Sequence, residues 1–254
     1  MNIADVIILS IIEGITEFLP ISSTGHLILA SNLLGINQDD NFTKSFQVVI
    51  QLGAILAVLA LFWRKFLDYK LLSKLFVAFL PAGICGLFFY NFIKRLFHPH
   101  TVVYMLIIGG ILFIILELFL KNKPSKVNSL ESISYKKAFY IGCFQALAMI
   151  PGTSRSGSTI FGGLVLKLNR KIATEFSFLL AVPTMFIASG YDIYKNIDSL
   201  NTQNFLYILL GLFVTFIFAI FAIKILLKFI SNFSYIAFGV YRIIVGLLFY
   251  FIVF

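Results

Sequence analysis

Apolar runs long enough to cross a bilayer follow one another along almost this entire chain, and a stretch of roughly 20 such residues reads as a membrane helix. Only 12% of its 254 residues are charged and 60% are hydrophobic, whereas a soluble domain carries roughly a quarter charged residues. The chain therefore reads as an integral membrane protein with several spans. Its 30 phenylalanines suit a lipid-facing surface. The net charge of +9 follows from membrane topology, as counted below, and gives no reason to expect a nucleic-acid partner. Cys85 and Cys143 lie in apolar stretches and form no ligand pattern; they read as buried or lipid-facing thiols. The N-terminus has no basic leader region, and its first apolar stretch carries Glu13 and Glu17, so no cleaved signal peptide is expected.

Apolar runs and breakers divide the chain into ten helical pieces. Two short ones, 2–19 and 24–34, precede three longer ones at 45–63, 71–93 and 101–120. A polar loop, 121–134, holds Lys121, Lys123, Pro124 and Lys126. The order then recurs: 135–150 and 157–168, then 174–194, 204–229 and 235–254. Pro20 and Pro151 are 131 residues apart, and the Ser45-Phe46-Gln47 and Glu175-Phe176-Ser177 segments that open the next helix are 130 apart. Similarity at a fixed offset marks an internal repeat, so residues 1–254 read as one membrane domain made of a first repeat, 1–120, and a second, 135–254.

Lysine and arginine choose between topologies, because cytoplasmic loops are enriched in them. If each short pair is a hairpin returning to its own side, one face collects 14 basic residues, among them Arg64, Lys65, Lys70, Lys74, Lys136, Lys137, Arg170 and Lys171. The other face receives only the four residues Lys44, Lys94, Arg95 and Lys195, with Arg155 and Arg242 set inside the membrane. A single crossing per short pair would split the same residues 10 to 8. The hairpin reading leaves three crossings per half, an odd number, so the halves are inverted and both termini lie outside. Two full crossings per pair would give the same count, but 24–34 and 157–168 are too short to span. The expected fold is all-α and polytopic: an inverted repeat of two five-helix halves, each a re-entrant helical hairpin plus three transmembrane helices. Re-entrant backbone is tolerated where it is buried in protein or lines a wet cavity, and inverted repeats bring broken helices together near the midplane.

Two polar boxes occupy those hairpins. The first runs Glu13-Gly-Ile-Thr-Glu17-Phe-Leu-Pro20-Ile-Ser22-Ser23-Thr24-Gly25-His26, and the second runs from Gln145 through Pro151-Gly-Thr-Ser154-Arg155-Ser156-Gly157-Ser158-Thr159. Glu13 and Glu17, spaced i, i+4, share a helix face. Two such carboxylates in hydrocarbon need neutralising, by a divalent cation with a taste for oxygen ligands, Mg²⁺ or Ca²⁺, or by a proton. Ser22, Ser23 and Thr24 stand where a helix N-cap is wanted, and the same N-terminus favours phosphate. His26 is a candidate acid or base near neutral pH. Arg155 sits in a turn of small residues and can hold phosphate bidentately; an interfacial arginine on lipid headgroups is the plainer reading. Arg242, inside the last apolar run, could neutralise Glu175 or an anion, or snorkel to the interface. An acid pair, hydroxyls, an imidazole and a guanidinium within a membrane suit metal-assisted phosphoryl transfer on a lipid-borne phosphate.

These two motifs resemble the signatures of the bacterial undecaprenyl-diphosphate phosphatases of the bacitracin-resistance type. So do Phe46-Gln-Val-Val-Ile-Gln-Leu-Gly-Ala-Ile-Leu-Ala-Val and Glu175-Phe-Ser-Phe-Leu-Leu-Ala-Val-Pro183. The resemblance covers essentially the whole chain. It implies an inner-membrane enzyme, open to the periplasmic side, that removes the terminal phosphate of a C55 polyprenyl diphosphate lipid with the help of a divalent metal. It further implies that Glu13 and Glu17 hold metal or proton, that Ser23 is the nucleophile or its positioner and His26 the acid–base. Arg155 with Ser154, Ser156 and Thr159 would then clamp the diphosphate, with Ser22 and Thr24 beside it. A carrier that flips the lipid monophosphate is the rival expectation, since inverted repeats with broken helices are transporter architecture. Monomer and homodimer are both left open.

Overall fold

Ten α-helices account for nearly all of the computed structural model, which describes every residue except Asp39, Phe97, Asn122, Lys123, residues 196–201 and Phe254. Lys123 of the expected polar loop thus lies outside the described residues. In chain order the helices are α1 (Ile3–Thr16), α2 (Ser23–Leu33), α3 (Asn41–Phe62), α4 (Tyr69–Arg95), α5 (Pro99–Leu120), α6 (Tyr135–Leu147), α7 (Arg155–Val165), α8 (Arg170–Lys195), α9 (Thr202–Asn232) and α10 (Ile236–Val253). A 3₁₀ turn, Trp63–Leu67, extends α3. No strand occurs among the described residues; a single backbone pairing of Val127 with Leu168 ties the central loop to the end of α7.

Local chemistry explains the boundaries. Asn2 and Asp5 cap α1 reciprocally, each side chain accepting from the other's backbone N–H at 2.7–2.9 Å. Asp40 caps α3 and Ser134 caps α6. Pro99 opens α5, where its missing N–H costs nothing. The sequence places the start of α8 at 174, but the helix begins at Arg170, because the Asn169 side chain accepts the Ile172 N–H at 2.8 Å and caps it there. Glu175 is consequently in the second turn, 4.0 Å from Lys171.

Among the described residues, five helical spans are long and apolar enough to cross a membrane: 41–67, 69–89, 99–120, 170–191 and 205–232. A sixth crossing was expected over 235–254; it is a shorter apolar helix, Ile236–Ile252. By contrast α1, α2, α6 and α7 have 14, 11, 13 and 11 residues. At 1.5 Å per residue these reach only about 16–21 Å, well short of a hydrocarbon layer roughly 30 Å thick.

The outer surface is greasy and the interior holds the polar groups. Leu87, Phe88 and Phe251 stand exposed, while Ser10, Glu13, Ser177, Thr215 and Arg242 are buried. The helices pair as α5 with α10, α1 with α9, α4 with α6, and α3 with both α8 and α9. Several of these contacts depend on glycine. A Cβ on Gly14 would come within 2.7 Å of the Thr215 carbonyl on α9, and one on Gly142 would collide with the Ala78 carbonyl on α4. The main apolar core contains Phe18 from the first turn, Ile160 and Leu164 from α7, and Phe176, Phe178 and Leu179 from α8; Phe18 meets Phe178 edge-on at 5.1 Å.

Candidate active site

Each polar box forms the turn between two short helices. In the first, α1 unwinds after Thr16, Pro20 follows, and Ser22 caps α2. In the second, α6 ends at Leu147, Pro151 follows, and Ser154 caps α7. Ser22 and Ser154 both adopt positive φ, 69° and 76°, a conformation that non-glycine residues take at a cost. Both hydroxyls accept the N–H of the glycine three residues on, Gly25 at 3.4 Å and Gly157 at 3.1 Å. The turns therefore hold the first N–H groups of α2 and α7 in the orientation that suits an anion.

One carboxylate joins the boxes. Glu17 Oε2 accepts the Ser23 hydroxyl at 2.6 Å, and Glu17 Oε1 accepts Nη2 of Arg155 at 2.9 Å. Arg155 also donates to the Ser177 carbonyl at 3.0 Å, lies 3.3 Å from Met185 Sδ, and stacks over the Phe18 ring. Its Nε is buried without a partner. Beside this cluster is a cavity of about 140 Å³ lined by Glu17, Ser22, Ser23, Thr24, Pro151, Gly152, Ser154 and Arg155, with Gln51, Ala148, Met149 and Met185 completing the wall. It is thus lined by both boxes, although they lie far apart in sequence. A larger hollow of about 310 Å³, bounded by Met1, Asp5 and Asp40, is lined by neither box.

The remaining sequence-predicted residues sit around that cavity rather than in its wall. Glu13 is wholly buried one helical turn from Glu17, and neither of its oxygens has a partner. Ser156 donates to the Leu19 carbonyl at 2.8 Å and bonds Ser154 at 3.1 Å, so it stitches one turn to the other. Thr159 bonds the Ser177 hydroxyl at 2.6 Å and fixes α7 on α8. His26 does not line the cavity. A carbonyl only accepts, so its Nδ1 carries the hydrogen bonded to Ser22 O at 2.8 Å, and its Nε2 meets the Tyr241 hydroxyl at 2.8 Å with the rings stacked.

Three residues escaped the sequence reading or were misplaced by it. Gln51 lines the cavity from α3; an amide within an apolar run is the only trace it leaves in the sequence. Tyr241 is the partner of His26, and nothing in the sequence signals that pairing. Arg242 was expected at Glu175, at an anion or at the interface. Instead it is 1% exposed and donates to five backbone carbonyls at 2.8–3.3 Å.

Cation ligands are few. Among the described residues no group of three His, Cys, Asp or Glu stands together as a metal cluster. Glu13 supplies two unpartnered oxygens, while both oxygens of Glu17 are engaged by Ser23 and Arg155. An all-oxygen set suits a hard cation such as Mg²⁺ or Ca²⁺, which keeps waters to complete its shell.

Helical spans around a buried acid, hydroxyl and guanidinium cluster define a polytopic membrane protein with an internal polar site. The chain belongs to the bacitracin resistance protein BacA family, whose model matches residues 6–248. It is 61% identical over 252 residues to a protein of Wolinella succinogenes named undecaprenyl-diphosphatase, covering 99% of this chain and 98% of that one. A Sulfurihydrogenibium protein of the same name is 58% identical over 250 residues, 98% of this chain and 99% of its own. A Campylobacter jejuni namesake is 56% identical over 248 residues, 97% of this chain and 92% of its own.

Proposed function

We propose that this protein is a membrane-embedded phosphatase that hydrolyses undecaprenyl diphosphate to undecaprenyl phosphate, and that the cavity between the two boxes is its active site. The observation that carries the site is the Glu17 carboxylate, bonded at once to a hydroxyl from one box and a guanidinium from the other. The relatives' shared name supplies the substrate.

In this reading the terminal phosphate enters between the first turns of α2 and α7. Arg155 exchanges its bond to Glu17 for phosphate oxygens, assisted by Ser154 and the hydroxyls of Ser22 and Thr24. Glu17, released from Arg155 but still holding the Ser23 hydroxyl, takes the serine proton as Oγ attacks the terminal phosphorus. The bond to the departing lipid phosphate breaks, and water hydrolyses the phosphoserine in a second step. His26 anchors the Ser22 carbonyl through Nδ1 and keeps Nε2 for proton exchange with Tyr241. Ser156 and Thr159 hold the clamp turn in place. Glu13 and Glu17 are the residues that would hold Mg²⁺ or Ca²⁺, and such an ion would offset phosphate charge as a Lewis acid.

The short helices support re-entrant hairpins, and the packing supports an inverted repeat. Exchange α1 with α6, α4 with α9 and α5 with α10, and the pairing of α1 with α9 becomes that of α6 with α4, while α5 with α10 maps onto itself. The basic residues counted above support a reading in which both termini lie outside, and the family resemblance supports a cavity mouth open to the periplasmic side of the inner membrane.

The test is phosphate release from farnesyl diphosphate by the purified protein in detergent, where transport has no meaning. Cation-dependent release that Glu17→Gln abolishes is the expected result. Lipid movement in liposomes with no phosphate release in detergent would replace the enzyme with a flippase. Absence of label on Ser23 under burst conditions would leave an activated water as the attacking group.

A further inference from the structure

Arg242 is buried without lining the cavity. An arginine has five N–H donors, and here all are used. Nε donates to the Leu106 carbonyl at 3.3 Å. Nη1 donates to Pro20 at 3.2 Å and Thr153 at 3.0 Å, and Nη2 to Met105 at 2.8 Å and Gly152 at 3.0 Å. One side chain from α10 thus gathers three loop carbonyls from the two polar turns and fastens them to α5. Access to α5 depends on Gly109, where a Cβ would collide with Nη2 of Arg242.

The acceptors are informative. An anion site must present N–H and hydroxyl groups and keep carbonyl oxygens away, since each carbonyl carries negative partial charge. Pro20, Gly152 and Thr153 lie in the turns that lead into α2 and α7, and Gly152 itself lines the cavity. A cation that binds all three carbonyls draws them out of the cavity and leaves the helix N-termini facing it. Among the described residues no carboxylate is bonded to Arg242, so its charge is spent on these oxygens.

We propose that Arg242 is a positioning residue of the diphosphate site: it holds the two polar turns against α5 so that they present donors, not carbonyl oxygens, to the phosphate. This rests on the reading of the cavity as the diphosphate site.

Lysine keeps the charge but has three donors, so Arg242→Lys gives up at least two carbonyls. Gly109→Ala leaves the arginine intact and pushes its guanidinium off α5. Both variants and their double are assayed in detergent for kcat and KM on farnesyl diphosphate, with the folded fraction measured by thermal melting. For Arg242→Lys, two lost charge-assisted bonds predict about a 100-fold fall in kcat/KM among folded molecules, with KM rising. Gly109→Ala is expected to follow in the same direction, and the double variant to be no worse than the stronger single, since both break one contact. Unchanged kcat and KM in folded Arg242→Lys, losses that track only the folded fraction, or additive losses in the double would overturn the inference. If Arg242→Lys does not fold, Gly109→Ala with native kcat and KM would overturn it. A wild-type protein that releases no phosphate would instead sink the reading of the site.

Discussion

The α1–α2 and α6–α7 turns share a backbone and divide the chemistry. Helices α1 and α6 start 132 residues apart, at Ile3 and Tyr135, and the capping serines, Ser22 and Ser154, keep that spacing. Both serines sit at positive φ and both accept a glycine N–H. At equal steps along the two hairpins the residues then differ: Glu13 against Gln145, and Ser23 against Arg155. Ser23 and Arg155 reach the same carboxylate, Glu17, from opposite turns. Equivalent positions thus supply the candidate nucleophile and the candidate clamp. Two turns of like backbone hold two helix N-termini at one cavity, and their side chains differ.

The comparison can be broken at its shared point first. Glu17→Gln removes the acceptor of the serine proton and the counter-charge of Arg155 together, and phosphate release should fall about 1,000-fold or more, on the scale of a lost general base. A loss below tenfold would show that the two turns do not meet functionally at this residue. Arg155→Lys keeps charge in the second turn but not the planar fork; about a 100-fold fall in kcat/KM is expected, and native kinetics would remove the clamp role.

Exchanging the matched pair sharpens the asymmetry. Glu13→Gln gives the first hairpin the residue of the second, and the expected outcome is a folded protein whose half-saturating Mg²⁺ or Ca²⁺ concentration rises about tenfold or more, the effect of losing one charged ligand. An unchanged cation requirement would take Glu13 out of any cation site. The reverse change, Gln145→Glu, buries a carboxyl at a side chain whose present amide oxygen accepts the Thr184 hydroxyl at 3.3 Å. It should destabilise the protein by roughly 2 kcal/mol, read by thermal melting. The smallest effects test the backbone equivalence: Ser22→Ala and Ser154→Ala each remove a cap worth about 1 kcal/mol, and clearly unequal melting shifts would mean that the two turns are not alike.

Helix positions were legible because apolar runs, prolines and capping residues act within a few residues of where they stand. The boundary at Arg170 escaped because a single asparagine side chain set it. The acids, the serines and Arg155 were legible because polar residues are sparse enough in an apolar chain to stand out. Ser156 and Thr159 were expected at the substrate, yet their hydroxyls bond Leu19 and Ser177. A hydroxyl's sequence does not say which of several neighbours it will satisfy. His26 stands three residues from Ser23, but its partner is Tyr241, 215 residues further along.

Composition and spacing alone determined that this chain is a bundle of apolar helices with two polar, proline-broken turns, because burial in hydrocarbon leaves an uncharged helix as the economical state of most segments. Which polar groups meet was decided only by tertiary packing. The Glu17–Arg155 pair and the five carbonyls around Arg242 join residues more than 80 positions apart, and a buried charge takes whatever acceptors the packed helices bring within its reach.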